Sequence, residues 1–350
     1  MNQNMLIQYL RNNNTEEQFF SELSKKYTTP EELTSCLRSM DPDRLHQLSM
    51  TTYHMLTDDP PVMAMNYDLE ENSPLRTVRI FKHWRFVPAI EHSHDHFEID
   101  YVLEGTCEHR INQQVHEMKA GDLCFLSPAS RHSITTNPDT VLLCILISRS
   151  TIENLFSNAL GGSDVISEFL QNSFFLKDYA SHLIFHTEGD DEIRDQILNM
   201  FMEEFQVDEY ADRIVSHMAV VFLIKIIRKY KKMAEGPAPH RSANGDTSRI
   251  LRYIQENYAT ASLGEVAQML NYSIPYCSKY IKLYTGQSFT ELQKRIRFQK
   301  ATDFLLNTSM SVERISERIG YANPENFMRM FKKEYGVSPT QFRTGSRNKV

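Results

Sequence analysis

Two stretches near the end of the chain repeat one pattern of helix starts and stops: "SLGEVAQMLNYSIPYCSKYIKLYTGQSF" (Ser262–Phe289) and "SVERISERIGYANPENFMRMFKKEYGVSP" (Ser311–Pro339). Each opens on a serine, whose hydroxyl can accept from an early helical N–H. Each continues with apolar residues at helix spacing: Leu263, Val266, Ala267 and Leu270, then Val312, Ile315 and Ile319. Each turns within three or four residues (Asn271–Ser273, Gly320–Asn323) and starts a second helix on a capping Ser273 or Asn323. An early proline, Pro275 or Pro324, follows where a missing N–H costs nothing. Each copy stops at a glycine suited to a left-handed helix end, Gly286 or Gly336. Such punctuation confines the chain to short helices meeting at fixed turns, which is the layout of a helix-turn-helix, here present twice. Between the copies, "TELQKRIRFQKATDFLLN" reads as one helix of 18 residues, roughly 27 Å long at ~1.5 Å per residue.

The charge agrees with that reading. Residues 241–350 hold 17 Lys+Arg against 9 Asp+Glu, a net +8; residues 1–240 hold 21 against 36, a net −15; together they give the chain's −7. An acidic body with a basic tail points to a polyanion at the tail alone. The second helix of such a unit enters the DNA major groove, and grooves on one face of the duplex recur every ~34 Å, a spacing close to the length of the connecting helix. On helical wheels the candidate DNA contacts face outward: Pro275, Tyr276, Ser278, Lys279 and Lys282 in the first copy, and Asn323, Glu325, Asn326, Arg329, Lys332 and Lys333 in the second. Cys277, Ile281 and Tyr284 face inward in the first, and Phe327, Met330, Phe331 and Tyr335 in the second.

Residues 248–343, through "LGEVAQMLNYS", "TGQSF", "RFQKATDFLL" and "RISERIGYANPENFMRMFKKEYGVSPTQFR", resemble the C-terminal domain of the AraC/XylS transcription regulators. The resemblance implies seven helices forming two helix-turn-helix units on a linker helix. It leans towards an activator, with RNA polymerase as a further partner. Two residues depart from the family pattern in the first unit: Cys277 stands where a larger aliphatic is usual, and Leu283 lies outward where a charge is common.

Upstream, "KKMAEGPAPHRSANGD" (Lys231–Asp246) gathers Gly, Pro, Ser and Asn without apolar periodicity and reads as a linker. From about Arg76 to Ser150 short strands alternate with turns, as in "FEIDYVLEG", "DLCFLSP" and "TVLLCILIS". Helical spacing governs the residues before and after. Ile214, Met218, Val221 and Phe222 mark one apolar face, expected to pack on the strands or to dimerise. Seven of the 13 histidines fall between His83 and His132. "HSHDHFEIDYVLEG" and "GDLCFLSPASRH" set His92, His94, Glu98 and His132 in an order that resembles the two cupin motifs, the second one residue short of the usual enzyme form. The implied fold is a cupin-like β-barrel. Its candidate ligand-pocket residues are His92, His94, His96, Glu98, Asp100, His132, Trp84 and Tyr101. No cofactor is expected; the alternative is a divalent metal on His92, His94, Glu98 and His132, since imidazole and carboxylate suit such ions.

The expected fold class is a multi-domain α+β chain: a helical extension over residues 1–75, a cupin-like barrel over 76–150, a helical dimerisation region over 151–235, a linker over 236–247 and an all-α double helix-turn-helix domain over 248–345. The expected function is transcription regulation by a small-molecule effector, with double-stranded DNA and a second copy as partners. A metal-dependent cupin enzyme with an accessory basic domain, and a constitutive regulator whose barrel only dimerises, stay open. Five scattered cysteines without a Cys-x-x-Cys pair suit a reducing compartment. The start lacks a signal-peptide layout, and the longest apolar run, Val141–Ile147, is too short to span a bilayer. A cytoplasmic protein without membrane contact is expected.

Overall fold

In a computed structural model the structure describes residues 2–43 (except 28 and 42), 62–63, 77–152 (except 150), 165–236 (except 178, 207, 209 and 231) and 244–347. Much of the expected extension after residue 43, and most of the expected linker, lie outside these residues. The chain divides into two compact units. Residues 1–152, 164–169 and 178–237 form the first; residues 153–163, 170–177 and 238–350 form the second.

The first unit is built on two antiparallel sheets. The larger has strand order β10-β7-β4-β9-β2 and the smaller β6-β5-β8, with β2 Val78–Lys82, β4 Phe97–Glu104, β5 Thr106–Ile111, β6 Gln114–Lys119, β7 Asp122–Leu126, β8 His132–Thr136, β9 Val141–Ile147 and β10 His182–His186. A short parallel pair joins β1 (Val62–Met63) to β3 (Ser93–His94). The sheets share an interior: Val102, Cys124, Leu126, Leu142 and Ile184 come from the larger, and Cys107, Ile111, Met118 and Ile134 from the smaller. Strand β5 alternates exposed and buried residues along its length, as a half-covered strand should. Strand β4 is buried on both faces. Gly105 ends it at φ +75, where a Cβ would stand 2.9 Å from Thr140 Cα. Only glycine meets both conditions without strain.

Helices α1 (Gln3–Arg11), α2 (Thr15–Lys26) and α3 (Pro30–Ser39) form the described part of the extension. Glu17 on α2 is fully buried; its carboxylate accepts from Arg85 Nε at 3.0 Å and pairs with Lys82 Nζ at 2.6 Å. Helices α4 (Val165–Phe175), α5 (Asp191–Glu203) and α6 (Ala211–Tyr230) follow the strands. The region expected to be wholly helical thus also supplies β10, which pairs with β7. Phe169 on α4 packs on Phe97 and Phe125.

The second unit holds seven helices among the described residues: α7 (Asn244–Glu256), α8 (Leu263–Met269), α9 (Ile274–Thr285), α10 (Phe289–Asn307), α11 (Val312–Arg318), α12 (Pro324–Tyr335) and α13 (Pro339–Arg347). Ser262, Ser273, Ser288, Ser311 and Asn323 all cap helix starts, and Ser262 with Glu265 and Ser288 with Glu291 form reciprocal capping boxes. Gly286 and Gly336 end α9 and α12 in the left-handed conformation. Residues 170–177 also belong to this unit, Lys177 N–H donating to Tyr284 O at 2.8 Å.

Candidate nucleic-acid interface and buried histidine cluster

Helix α10 is the frame of the second unit. Arg297 donates from Nε to Tyr258 O (2.7 Å), from Nη2 to Ala259 O (2.8 Å) and from Nη1 to Gly320 O (3.3 Å). Gln293 Nε2 donates to Ala261 O at 2.7 Å. One helix face thereby ties the loop before α8 to the turn between α11 and α12. Phe298, Ala301 and Leu305 of α10 join Ile315, Ile319, Phe327 and Phe331 in an apolar core. Neither Arg297 nor Gln293 stood out in the sequence. Their signal is a polar residue on a helix face otherwise apolar, which many exposed residues share.

On this frame α9 and α12 present outward faces. Pro275, Tyr276, Lys279 and Lys282 are exposed on α9, and Ser278 is half-buried. Asn323, Glu325, Asn326, Arg329, Lys332 and Lys333 are exposed around α12. Arg329 Nη2 donates to Asn326 Oδ1 at 3.1 Å, which orients the two side chains together. Ile274 and Leu283 extend the α9 face; Leu283 is 70 % exposed. An isoleucine directly after the capping Ser273 reads as core in the sequence, and only the turn geometry turns it outward.

The first unit gathers His92, His94, His96, His109 and His132 around Glu98 and Asp100. Register places Glu98 opposite Leu126 and Leu146, and Asp100 opposite Cys124 and Cys144, so both carboxyls point between the sheets. His94 Nε2 lies 2.8 Å from Glu98 Oε2, and His132 Nε2 lies 3.7 Å from the same oxygen. His96 stacks on His94 with centroids 4.3 Å apart. His92 sits beside His132, centroids 4.4 Å apart, and 6.3 Å from His94. Among the described residues, His94, Glu98 and His132 offer ligand atoms within 4.8 Å of one another; His92 does not join them. The four-residue set expected from the motif is thus reduced to three.

Burial governs the ionisation here. It lowers His92 to about 4 and His109 to about 3, and holds His132 well below the ordinary imidazole range. Burial pushes the Glu98 carboxyl up, but the His94 and His132 imidazoles outweigh it and hold it well below the usual range. Asp100 goes the other way: burial, then the Glu98 charge, raises it well above that range. The two neighbouring carboxyls are therefore shifted in opposite directions. His109, absent from the sequence candidates, stands 3.8 Å from Asp100 Oδ2. The alternation of Cys107, His109 and Ile111 along β5 could have found it.

Two expected pocket residues lie elsewhere. Tyr101 shares the face of Phe97 and Ile99, opposite to Glu98 and Asp100; burial pushes its hydroxyl up to about 12, with smaller effects from Arg194 and Asp191 of α5 and from Asp190, which caps that helix. Trp84 packs against Phe20, Leu33 and Leu37 under the N-terminal helices. On α6, Phe222 is fully buried with Val215, Ala219 and Ile226, because its stripe faces the unit's own core. Ile214 and Val221 are exposed and Met218 is half-buried. Among the described residues no helix is long and apolar enough to cross a membrane.

An apolar sheet interior holding a polar cluster, followed by paired helix-turn-helix units, defines a sensor joined to a DNA reader. An AraC-like ligand binding domain matches residues 78–173, and a helix-turn-helix domain matches residues 266–345. The chain belongs to the AraC family of transcriptional regulators. Its relatives include the HTH-type transcriptional activator RhaS of Enterobacter sp. (strain 638), 25% identical over 73% of this chain and 87% of that one. RhaS of Citrobacter koseri is 26% identical over the same shares. Among solved structures, the C-terminal domain of AraT, a response regulator from Geobacillus stearothermophilus, is 38% identical over 30% of this chain and 88% of its own, with a TM-score of 0.28. ToxT from Vibrio cholerae is 16% identical over 76% and 97%, with a TM-score of 0.29.

Proposed function

We propose that the chain is an effector-controlled transcriptional activator that lays α9 and α12 into successive major grooves of duplex DNA. The observation that carries this is the rigid repeat. Two capped helices, each with an exposed outward face that carries lysines, are held by one helix of 19 residues, roughly 28 Å long at ~1.5 Å per residue. Asn326 and Arg329 are the base-reading pair, because amide and guanidinium groups match adenine and guanine edges. Lys279, Lys282, Lys332 and Lys333 neutralise phosphates. The activator assignment draws on the relatives' names, and it makes RNA polymerase the further partner.

The interior around Glu98, Asp100, His109 and His132 takes the effector. Its two carboxyls, shifted in opposite directions, and its imidazoles suit a small polar molecule that can both donate and accept. On this reading the barrel is a sensor and not a catalyst, and the protein works in the cytoplasm beside its DNA. Ile214, Met218 and Val221, with Ile224 at 48 % exposure, form the stripe through which two copies pair. Coupling requires the effector to favour one arrangement of the paired readers, at a typical ~1–3 kcal/mol.

Selection from random duplexes with the full-length protein, followed by footprinting and sedimentation of the complex, tests this. The expected outcome is an enriched site with two contacted grooves per chain, ~10 bp apart, and two chains per site. Enrichment of no sequence, or protection of a single groove per chain, would sink the proposal.

A further inference from the structure

We propose that Arg297 is a positioning residue: its guanidinium clamps the first helix-turn-helix copy to the second, and so fixes the separation of DNA elements that the chain accepts. The inference rests on the DNA reading proposed above. Arg297 stands midway along α10, and its N–H groups reach two segments far apart in sequence. Nε and Nη2 donate to Tyr258 O (2.7 Å) and Ala259 O (2.8 Å), in the loop that leads into the first copy. Nη1 donates to Gly320 O (3.3 Å), in the turn between α11 and α12. The guanidinium also lies 5.7 Å from the centroid of the Tyr321 ring.

The same two segments also meet directly. Gly320 has φ +84, and a Cβ there would stand 2.8 Å from Ala259 Cα. Asn271 holds the equivalent turn of the first copy at φ 56 with a side chain attached, so the turn conformation alone does not require glycine. The close approach of the loop does. Tyr258, from that loop, packs against the apolar core built on α10, α11 and α12. The first copy is thereby seated on the turn of the second, and not joined to it through α10 alone.

Neighbouring polar ties hold each copy to itself. Counted from Ser288 and Ser338, Gln293 and Arg343 occupy equivalent places. Gln293 Nε2 donates to Ala261 O at 2.7 Å, and Arg343 Nη2 donates to Met310 O at 2.6 Å. Ala261 and Met310 each directly precede the serine that opens a copy, so each bond closes one copy on its own start. Arg297 differs in kind, because its donors are divided between the copies. Its planar fork presents them in fixed directions, and a charged donor makes one of the stronger hydrogen bonds. With the clamp in place, α9 and α12 can shift against one another only by breaking it.

The test uses the full-length protein and the duplex it selects. The two contacted elements are kept at their own spacing, moved ~2 bp closer or further apart, or reduced to the α12 element alone. The unaltered chain should prefer its own spacing, and Arg297→Met should lower that preference at least ~10-fold. Affinity of Arg297→Met for the α12 element alone should change less than ~2-fold, and its slope of log K against log salt should stay as it was, whereas a lost phosphate contact would flatten it by ~0.9. Arg343→Met is the contrast: it should weaken binding alike at every spacing. Arg297→Lys keeps the charge without the fork and replaces Arg297→Met if that variant does not fold, with a loss of preference of at least ~3-fold expected. Three results overturn the inference and leave the DNA reading standing. They are an undiminished spacing preference in the folded Arg297 variant, an unaltered chain that accepts every spacing equally, and a uniform loss with a flattened salt slope, which makes Arg297 a phosphate contact. A chain that binds neither element sinks the DNA reading itself, and this inference with it.

Discussion

The two helix-turn-helix copies share a frame and differ in what they show to solvent. Counted back from their closing glycines, α9 and α12 correspond residue for residue, Cys277 with Phe327, Ile281 with Phe331, Lys279 with Arg329, Leu283 with Lys333 and Tyr276 with Asn326. Asn271 and Gly320 occupy equivalent turn positions and both have positive φ, 56° and 84°. The outward faces diverge. The first shows Ile274, Tyr276 and Leu283, at 53 %, 53 % and 70 % exposure; the second shows Asn326, Arg329, Lys332 and Lys333. Caps, turn and core fix where a helix lies, and leave its outer side chains free to take different chemistry. Apolar groups suit thymine methyls and sugars, and amide and guanidinium groups suit base edges.

The largest expected contrast lies in the core. Phe327 touches Phe298, Tyr321 and Phe331 and is fully buried. Phe327→Ala should cost ~3–5 kcal/mol, the usual range for emptying an aromatic site. Cys277 is equally buried, but loses only a thiol, so Cys277→Ala should cost about 1 kcal/mol. Urea unfolding of the two variants, followed by circular dichroism, measures both. Equal losses would mean that the two copies are not anchored alike, and that the correspondence is one of pattern only.

The same contrast shows what was legible beforehand. The helical tail could be read because its signals are local: a serine three residues before a glutamate, a proline early in a helix, a glycine at its end. The histidine cluster could be read from spacing along one segment. The remaining features depend on contacts between distant segments. Strand β4 is buried on both faces, so no alternation of Phe97, Glu98, Ile99, Asp100 and Tyr101 distinguishes inside from outside, and Tyr101 was misplaced. Trp84 lies under helices 45 to 65 residues earlier in the chain. Phe222 is one position from the exposed Val221, and only the packing of α6 shows which of the two is covered. The Glu17–Arg85 pair joins two segments that nothing local connects.

A smaller effect separates the reading faces. Arg329→Ala removes a guanidinium that can bond two edge atoms of one guanine. It should narrow the preference for the selected site over a scrambled duplex by ~1–3 kcal/mol. Lys279→Ala, at the matching place in the first copy, removes a point charge. It should weaken both duplexes alike and change the preference by less than ~0.5 kcal/mol. Competition binding at one salt concentration reads both. A Lys279 variant that loses as much preference as the Arg329 variant would make the first copy an equal reader of bases.

The smallest effect tests whether the faces can be exchanged. Each phosphate contact releases counterions and contributes ~0.9 to the slope of log K against log salt. Lys332→Ala should flatten that slope by ~0.9, and Leu283→Lys should steepen it by about as much, because it gives the first copy the charge that Lys333 gives the second. The two changes lie on different helices and share no side-chain partner, so the double variant should return the slope to its starting value. A Leu283→Lys variant with an unchanged slope would place that position away from the backbone. The apolar face of α9 would then meet base methyls or a protein partner, and not the phosphates that its counterpart meets.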